Sequence, residues 1–265
     1  MCITANWRYI PLAIALDGSL PLAVAHKPNR RYPPNAPCDT MSPMKSADDF
    51  PFAAVLFDLD GVVIDTTALH YRVWAEFARS RHFVPSPAEL LATNGRRASE
   101  TIRLWLGPDI SEFELLGLTA EREAAFNALL ASEPVSAVAG VVQYVARLAL
   151  ARIKRAVVTS AMPANAGLSL RRVGMEDAFN VIVTATDVQH GKPEPECYLA
   201  AADALDVPAS RCVVIEDSVS GLRAAKAAGM RCVAMTTTLP KELLAAERPD
   251  WLASDFHDLP PELRL

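Results

Sequence analysis

The sequence predicts an α/β fold, a doubly wound parallel sheet with an inserted α-helical cap domain, and three observations carry that prediction. Short, unbroken apolar runs recur at residues 53–57, 156–158, 181–183, 212–215 and 232–235. Runs of this length without polar alternation suit strands covered on both faces, as in a parallel sheet. Alanine- and leucine-rich stretches at helical spacing separate them, and one long interval, 67–134, has helical spacing and no strand-like run. Alternating strands and helices of this kind wind into a Rossmann-like sheet with helices on both faces.

Taken in order, the first run ends in Asp58-Leu59-Asp60-Gly61. Beyond it, Leu69, Val73 and Phe77 stand four apart and give a helix one apolar face. Residues 99–106 and 119–130 read as further helices. An all-helical block after the first strand is expected to cap the sheet's C-terminal edge. The core is therefore assigned to residues 51–66 and 135–265, and the cap to 67–134. Pro134 and Gly140 mark the return to the core, where 138–150 and 221–228 read as helices. The sequence has no internal repeat.

Residues 1–50 read differently. They hold seven of the chain's 20 prolines and no sustained period. The apolar stretch 10–25 suggests a signal peptide, but Asp17 and Pro21 interrupt it and no charged region precedes it. A disordered extension is expected, or an upstream start, with Met41 or Met44 as the true beginning; a targeting segment is the alternative.

A net charge of −5 without a long basic run argues against a nucleic-acid partner, and no apolar run is long enough to span a bilayer. Five cysteines, an odd number without CxxC spacing, fit free thiols in a reducing cytoplasm.

Four motifs stand at or just past predicted strand ends, where open α/β sheets place their ligands. In Asp58-Leu59-Asp60-Gly61-Val62, one carboxylate can attack phosphorus and a second, two residues on, shares its face and can act as acid and then base. Gly61 permits the sharp exit of the chain. Thr159-Ser160 offers hydroxyls and backbone N–H groups to phosphate oxygens. Lys192, in Gly191-Lys192-Pro193, supplies a fixed cation. Ile215-Glu216-Asp217-Ser218 brings paired acids, hard oxygen ligands of the kind Mg²⁺ takes together with phosphate and water.

DLDGV, VVTS, GKPEP and IEDS, in this order, resemble the four motifs of the haloacid dehalogenase superfamily over about residues 51–240. The resemblance implies Asp58 as nucleophile, Asp60 as acid/base, and Thr159 and Lys192 as phosphate binders. It further implies Mg²⁺ held by Asp58, the Asp60 main chain and Asp217, with Glu216 beside them. Dehalogenases of the superfamily lack the acid at position 60, so phosphatase and phosphomutase remain.

Residues 65–74 resemble β-phosphoglucomutases and sugar phosphatases, and His70 there is expected to touch a substrate hydroxyl. The cap loop Asn94-Gly95-Arg96-Arg97 is the expected specificity element, with backbone approach at Gly95 and guanidinium grip from Arg96 and Arg97. Mutases resemble one another in a cap lysine that grips a second phosphate. Glu123 takes its place here, although a shift of one residue would put Arg122 there. The expected function is Mg²⁺-dependent hydrolysis of a small phosphorylated metabolite, a sugar or polyol phosphate. A mutase is the alternative, and a non-catalytic binding protein on the same fold is the third reading. The sequence is silent on oligomeric state. A chain started at Met41 is expected to melt and turn over as the full chain does; insolubility or inactivity would make residues 1–40 structural.

Overall fold

The computed structural model describes residues 50–265, so the expectations for 1–49 lie outside the described residues. Phe50, assigned above to the extension, is buried and packs edge-on against Phe52 at 6.2 Å.

Among the described residues, six strands form one sheet: β1 (Ala54–Phe57), β2 (Lys154–Val158), β3 (Val181–Val183), β4 (Cys212–Glu216), β5 (Arg231–Met235) and β6 (Trp251–Ala253). Their order is β3-β2-β1-β4-β5-β6, and every neighbouring pair is parallel. Five were predicted. The sixth, Trp251-Leu252-Ala253, is a short edge strand without a long apolar run to announce it.

Period-two alternation sends Val55, Phe57, Val213 and Ile215 into one core layer and Ala54, Leu56, Cys212 and Val214 into the other. Both faces are covered, so all four residues of β1 are fully buried. On the first face Phe57 packs against Tyr144, Phe179 and Phe256, with centroids 5.7–6.2 Å away. On the second, Tyr198 and Leu222 fill the layer.

The insertion that follows β1 carries four helices, α1 (Thr67–Arg79), α2 (Pro87–Leu91), α3 (Ala98–Leu106) and α4 (Glu112–Ser132). A full capping box at Ser86 and Glu89 starts α2, with Pro87 at its first position. α1 buries Leu69, Val73 and Phe77, the stripe read from their spacing. Trp74, Phe77, Leu90, Ile102 and Leu115 form a small apolar cluster of their own, whereas Leu69, Val73, Phe126 and Leu130 join the sheet's first core layer. The insertion thus has its own core and is also rooted in the larger one.

The remaining helices are α5 (Val141–Leu150), α6 (Pro163–Arg172), α7 (Glu196–Ala204), α8 (Val219–Ala227) and α9 (Lys241–Ala246). Strand order reverses between β1 and β4, so the crevice of the sheet opens beyond their C-terminal ends. Asp58 and Asp217 are the first residues past those two strands.

Candidate active site

Lys192 is 1% exposed, and its Nζ donates to Asp58 Oδ1 at 2.5 Å, Glu216 Oε1 at 2.7 Å and the Val158 carbonyl at 3.2 Å. The third motif thus ties together the ends of β1, β2 and β4. Burial alone would depress the lysine, but Asp58 and Glu216 outweigh it and hold the ammonium well above its ordinary range. Glu216, equally buried, is held below the usual carboxylate range because Lys192 and Ser218 offset its desolvation.

Expected beside the metal ligands, Glu216 has no oxygen to spare. Oε1 accepts from Lys192 and from the Tyr198 hydroxyl at 3.1 Å. Oε2 accepts from the backbone N–H groups of Asp217 and Ser218, both at 2.8 Å, and from Ser218 Oγ at 2.9 Å. Five donors make it the anchor of Lys192 rather than a metal ligand. Tyr198 and Ser218 were not singled out from sequence, where a buried hydroxyl looks like any other core residue.

Asp58 and Asp217 are short of positive charge. Burial, with the charge of Glu216, pushes Asp58 up to about 7 despite Lys192. Asp217 is likewise held well above the usual carboxylate range, by burial and by its neighbours Glu216 and Asp58. Among the described residues no three His, Cys, Asp or Glu side chains converge as a ready ligand set. Two buried carboxylates that repel one another, at strand ends 57 and 216 in one crevice, are nonetheless a donor set that suits Mg²⁺ completed by main-chain, phosphate and water oxygens. Gly61, at φ +82°, keeps room for it: a Cβ there would lie 1.9 Å from Asp217 Oδ2 and 2.4 Å from Thr238 Oγ1. Thr238, also missed from sequence, bonds Asp217 and meets Thr67 Oγ1 at 2.9 Å.

Asp60 accepts from Thr66 Oγ1 at 2.6 Å and faces His70 Nε2 at 3.2 Å. Burial works upward on its carboxyl, but His70 and Thr66 prevail and hold it below its ordinary value. His70 Nδ1 lies 2.5 Å from Arg122 Nη2. Arginine only donates, so Nδ1 accepts and the ring proton sits on Nε2, toward Asp60. His70 lines the cavity with its ring stacked on Phe126 at 4.1 Å. Nδ1 is taken by Arg122, whereas Nε2, 3.2 Å from Asp60 Oδ1, makes no hydrogen bond and is the atom left for the expected substrate hydroxyl.

Arg122 is buried, lies over Trp74 at 4.8 Å and donates to Glu123 Oε1 at 2.9 Å. Glu123 Oε2 accepts in turn from Asn165 on α6. Arg122 and Glu123 both line the cavity between cap and sheet, so the two possible alignments of the mutase lysine meet as one ion pair.

Asp58, Asp60, Thr159, Ser160 and Asp217 line the same cavity from the core side. Thr159 Oγ1 accepts from Ala161 N at 3.0 Å, which leaves its O–H free to donate. Ser160 spends its proton on the Gly95 carbonyl of the cap loop at 2.7 Å, so its hydroxyl is not the free phosphate donor expected of it. Gly95, expected to let backbone approach a ligand, lines the cavity and also packs closely on the core; a Cβ there would lie 2.3 Å from Ser218 Oγ. Arg96 lines the cavity. Arg97 does not face it: Nη1 donates to the Gln189 carbonyl at 2.9 Å and Nη2 to that of Val188 at 2.8 Å.

Glu216 owes its place to close packing by α8. A Cβ on Gly221 would fall 1.6 Å from Glu216 Oε1. Gly221→Ala is expected to lose activity about a hundredfold by moving Glu216 and with it Lys192, although alanine in a helix is ordinarily favoured by ~1 kcal/mol. Unchanged turnover in that variant would show that the Glu216 anchor tolerates displacement.

Residues 52–229 match the model of the haloacid dehalogenase-like hydrolases. Validoxylamine A 7'-phosphate phosphatase of Streptomyces hygroscopicus subsp. limoneus is 36% identical over 199 residues, which cover 73% of this chain and 90% of that one. Beta-phosphoglucomutase of Bacillus subtilis is 33% identical over 186 residues, covering 68% and 81%. The crystal structure of CbbY from Rhodobacter sphaeroides in complex with phosphate superposes with a TM-score of 0.67 at 29% identity, over 78% of this chain and 96% of that one. With its motifs at the ends of β1, β2 and β4 and a family match across most of its length, the chain belongs to the haloacid dehalogenase-like hydrolases.

Proposed function

We propose that the chain is a Mg²⁺-dependent phosphatase that hydrolyses a small phosphorylated metabolite, a sugar or polyol monophosphate, through an aspartyl-phosphate on Asp58. The observation that carries this reading is the Asp58–Lys192 contact at 2.5 Å, with Asp60 on the wall of the same cavity. Asp58 attacks phosphorus, and the bond to the ester oxygen breaks as that oxygen takes a proton from Asp60. In the second half Asp60 takes a proton from water, whose oxygen attacks phosphorus, releasing inorganic phosphate and the Asp58 carboxylate. Lys192 neutralises the nucleophile, and Thr159 donates to a phosphate oxygen. Asp58, the Asp60 main chain and Asp217 would hold Mg²⁺, which supplies charge neutralisation at the phosphoryl oxygens.

The substrate class follows from the relatives, several of them named as phosphatases of phosphorylated carbohydrates or polyols, and from the cap. Arg122 and Glu123 sum to zero, which suits a hydroxyl-bearing group better than a second phosphate. The mutase reading is favoured by one observation, the Arg122 guanidinium on the cavity wall.

Asp58→Asn is expected to lower turnover on the order of 10⁴-fold or more while the fold persists. A variant that kept metal-dependent activity would remove Asp58 as nucleophile. EDTA should silence the wild type and Mg²⁺ restore it. Full turnover in chelated buffer would exclude the metal.

Asp217→Asn removes one of two repelling carboxylates. It should raise the metal-free melting temperature by a few degrees, about 1 kcal/mol, and abolish the further rise that Mg²⁺ gives the wild type. Retention of that rise would move the metal elsewhere. Supplied with hexose 1-phosphate and hexose 1,6-bisphosphate, the enzyme should release inorganic phosphate. Bisphosphate-dependent accumulation of hexose 6-phosphate with negligible phosphate release would make it a mutase.

A further inference from the structure

Lys192 enters the site on the segment 188–191, and that segment is held from two sides. From the core, Glu196 at the start of α7 accepts from the Gln189 N–H at 2.6 Å and the His190 N–H at 2.8 Å. From the cap, Arg97 donates to the Val188 and Gln189 carbonyls at 2.8 and 2.9 Å. Glu100, one turn into α3, takes up the Gly191 N–H. The approach is close enough that a Cβ on Gly191 would lie 2.7 Å from Glu100 Oε1 and 3.0 Å from Arg97 Nε. The segment's N–H groups at 189 and 190 thus belong to the core, and its carbonyls at 188 and 189 belong to the cap.

We propose that Arg97 is a positioning residue that latches the cap onto the loop carrying Lys192, so that the cap's closed position and the full support of Lys192 against Asp58 coincide. The inference rests on the phosphatase reading. A guanidinium suits the task because its planar fork reaches two successive carbonyls at once, which a single ammonium does not. Arg96 faces the cavity while its neighbour grips the core, so adjacent arginines divide substrate contact from closure.

Two substrates and an activity-independent readout test the latch. Arg97→Ala should lower kcat about ten- to a hundredfold on both a sugar phosphate and a small aryl phosphate, with KM little changed, because Lys192 serves every phosphate alike. Arg97→Lys should fail to restore it, and added guanidinium should restore part of it in Arg97→Ala. Arg96→Ala should instead raise KM, and more for the sugar phosphate than for the aryl phosphate. Amide exchange across residues 188–192 should quicken in Arg97→Ala and Arg97→Lys at an unchanged melting temperature. A KM increase confined to the sugar phosphate in Arg97→Ala would make Arg97 a substrate ligand and overturn the latch. Unchanged exchange at 188–192 would overturn it independently of any turnover. A wild-type chain inactive on all phosphate esters, with exchange still quickened in the variants, would overturn the phosphatase reading while the contact itself stood.

Discussion

Burying a lysine at the carboxyl edge of a parallel sheet costs several kcal/mol in desolvation, and what surrounds Lys192 shows how that cost is offset. Its ammonium is shared among Asp58, Glu216 and the Val158 carbonyl, one group from the end of each of three neighbouring strands. Glu216 is fixed in turn by the N-terminal turn of α8, where the Asp217 and Ser218 N–H groups point at it and the helix dipole favours its charge. The catalytic edge is therefore a chain of dependence. Close packing of α8 places Glu216, Glu216 places Lys192, and Lys192 places the oxygen of Asp58.

Charge counting in the same cluster explains why the protein's own groups leave it incomplete. Asp58, Glu216 and Asp217 carry three negative charges against the single positive charge of Lys192, a deficit of two. The raised carboxyls of Asp58 and Asp217 express burial first, and that deficit adds to it. A divalent cation would cancel the deficit and return both groups to the ionised form that their proposed roles as nucleophile and metal ligand require. The donors that remain for a phosphate dianion, the Thr159 hydroxyl and main-chain N–H groups, need not then compensate for the protein's own charge.

What the sequence made legible follows from how its information is stored. Strands buried on both faces write continuous apolar runs, so β1, β2, β4 and β5 were readable, and so were the β-branched edge strand β3, although Ile182 is exposed, and the α1 stripe of Leu69, Val73 and Phe77. β6 was not, because Trp251-Leu252-Ala253, as short as β3, lacks the β-branched residues that mark Val181-Ile182-Val183 as a strand. Motif chemistry was legible as to which residues gather at the crevice, since strand ends converge by topology. The partner each polar side chain selects was not legible. Glu216 was read as a metal neighbour and Arg97 and Ser160 as ligands for substrate. Each instead meets a protein group brought alongside by the insertion or by α8, contacts separated by up to 92 positions in the chain. His70 differs only in degree: its place at the site was readable, but its orientation depends on Arg122, 52 residues away.

That orientation bears on how one carboxyl can act first as acid and then as base. With Thr66 donating and His70 Nε2 3.2 Å away, Asp60 is held below its ordinary value, toward the ionised form needed for the second half of the proposed reaction. The first half needs it protonated. A phosphate dianion entering beside Asp60 raises its proton affinity by like-charge repulsion, so the substrate itself promotes the acid form. Once the leaving group has taken the proton and phosphorus is bound to Asp58, the phosphoryl group is still a dianion, but the separate charge of the Asp58 carboxylate beside it is gone. Repulsion then falls, and Asp60 relaxes toward the ionised base held by Thr66 and His70. The Arg122–His70 contact thus sets a resting state matched to hydrolysis of the proposed intermediate, and the charge of the substrate would carry Asp60 through the half-reaction that precedes it.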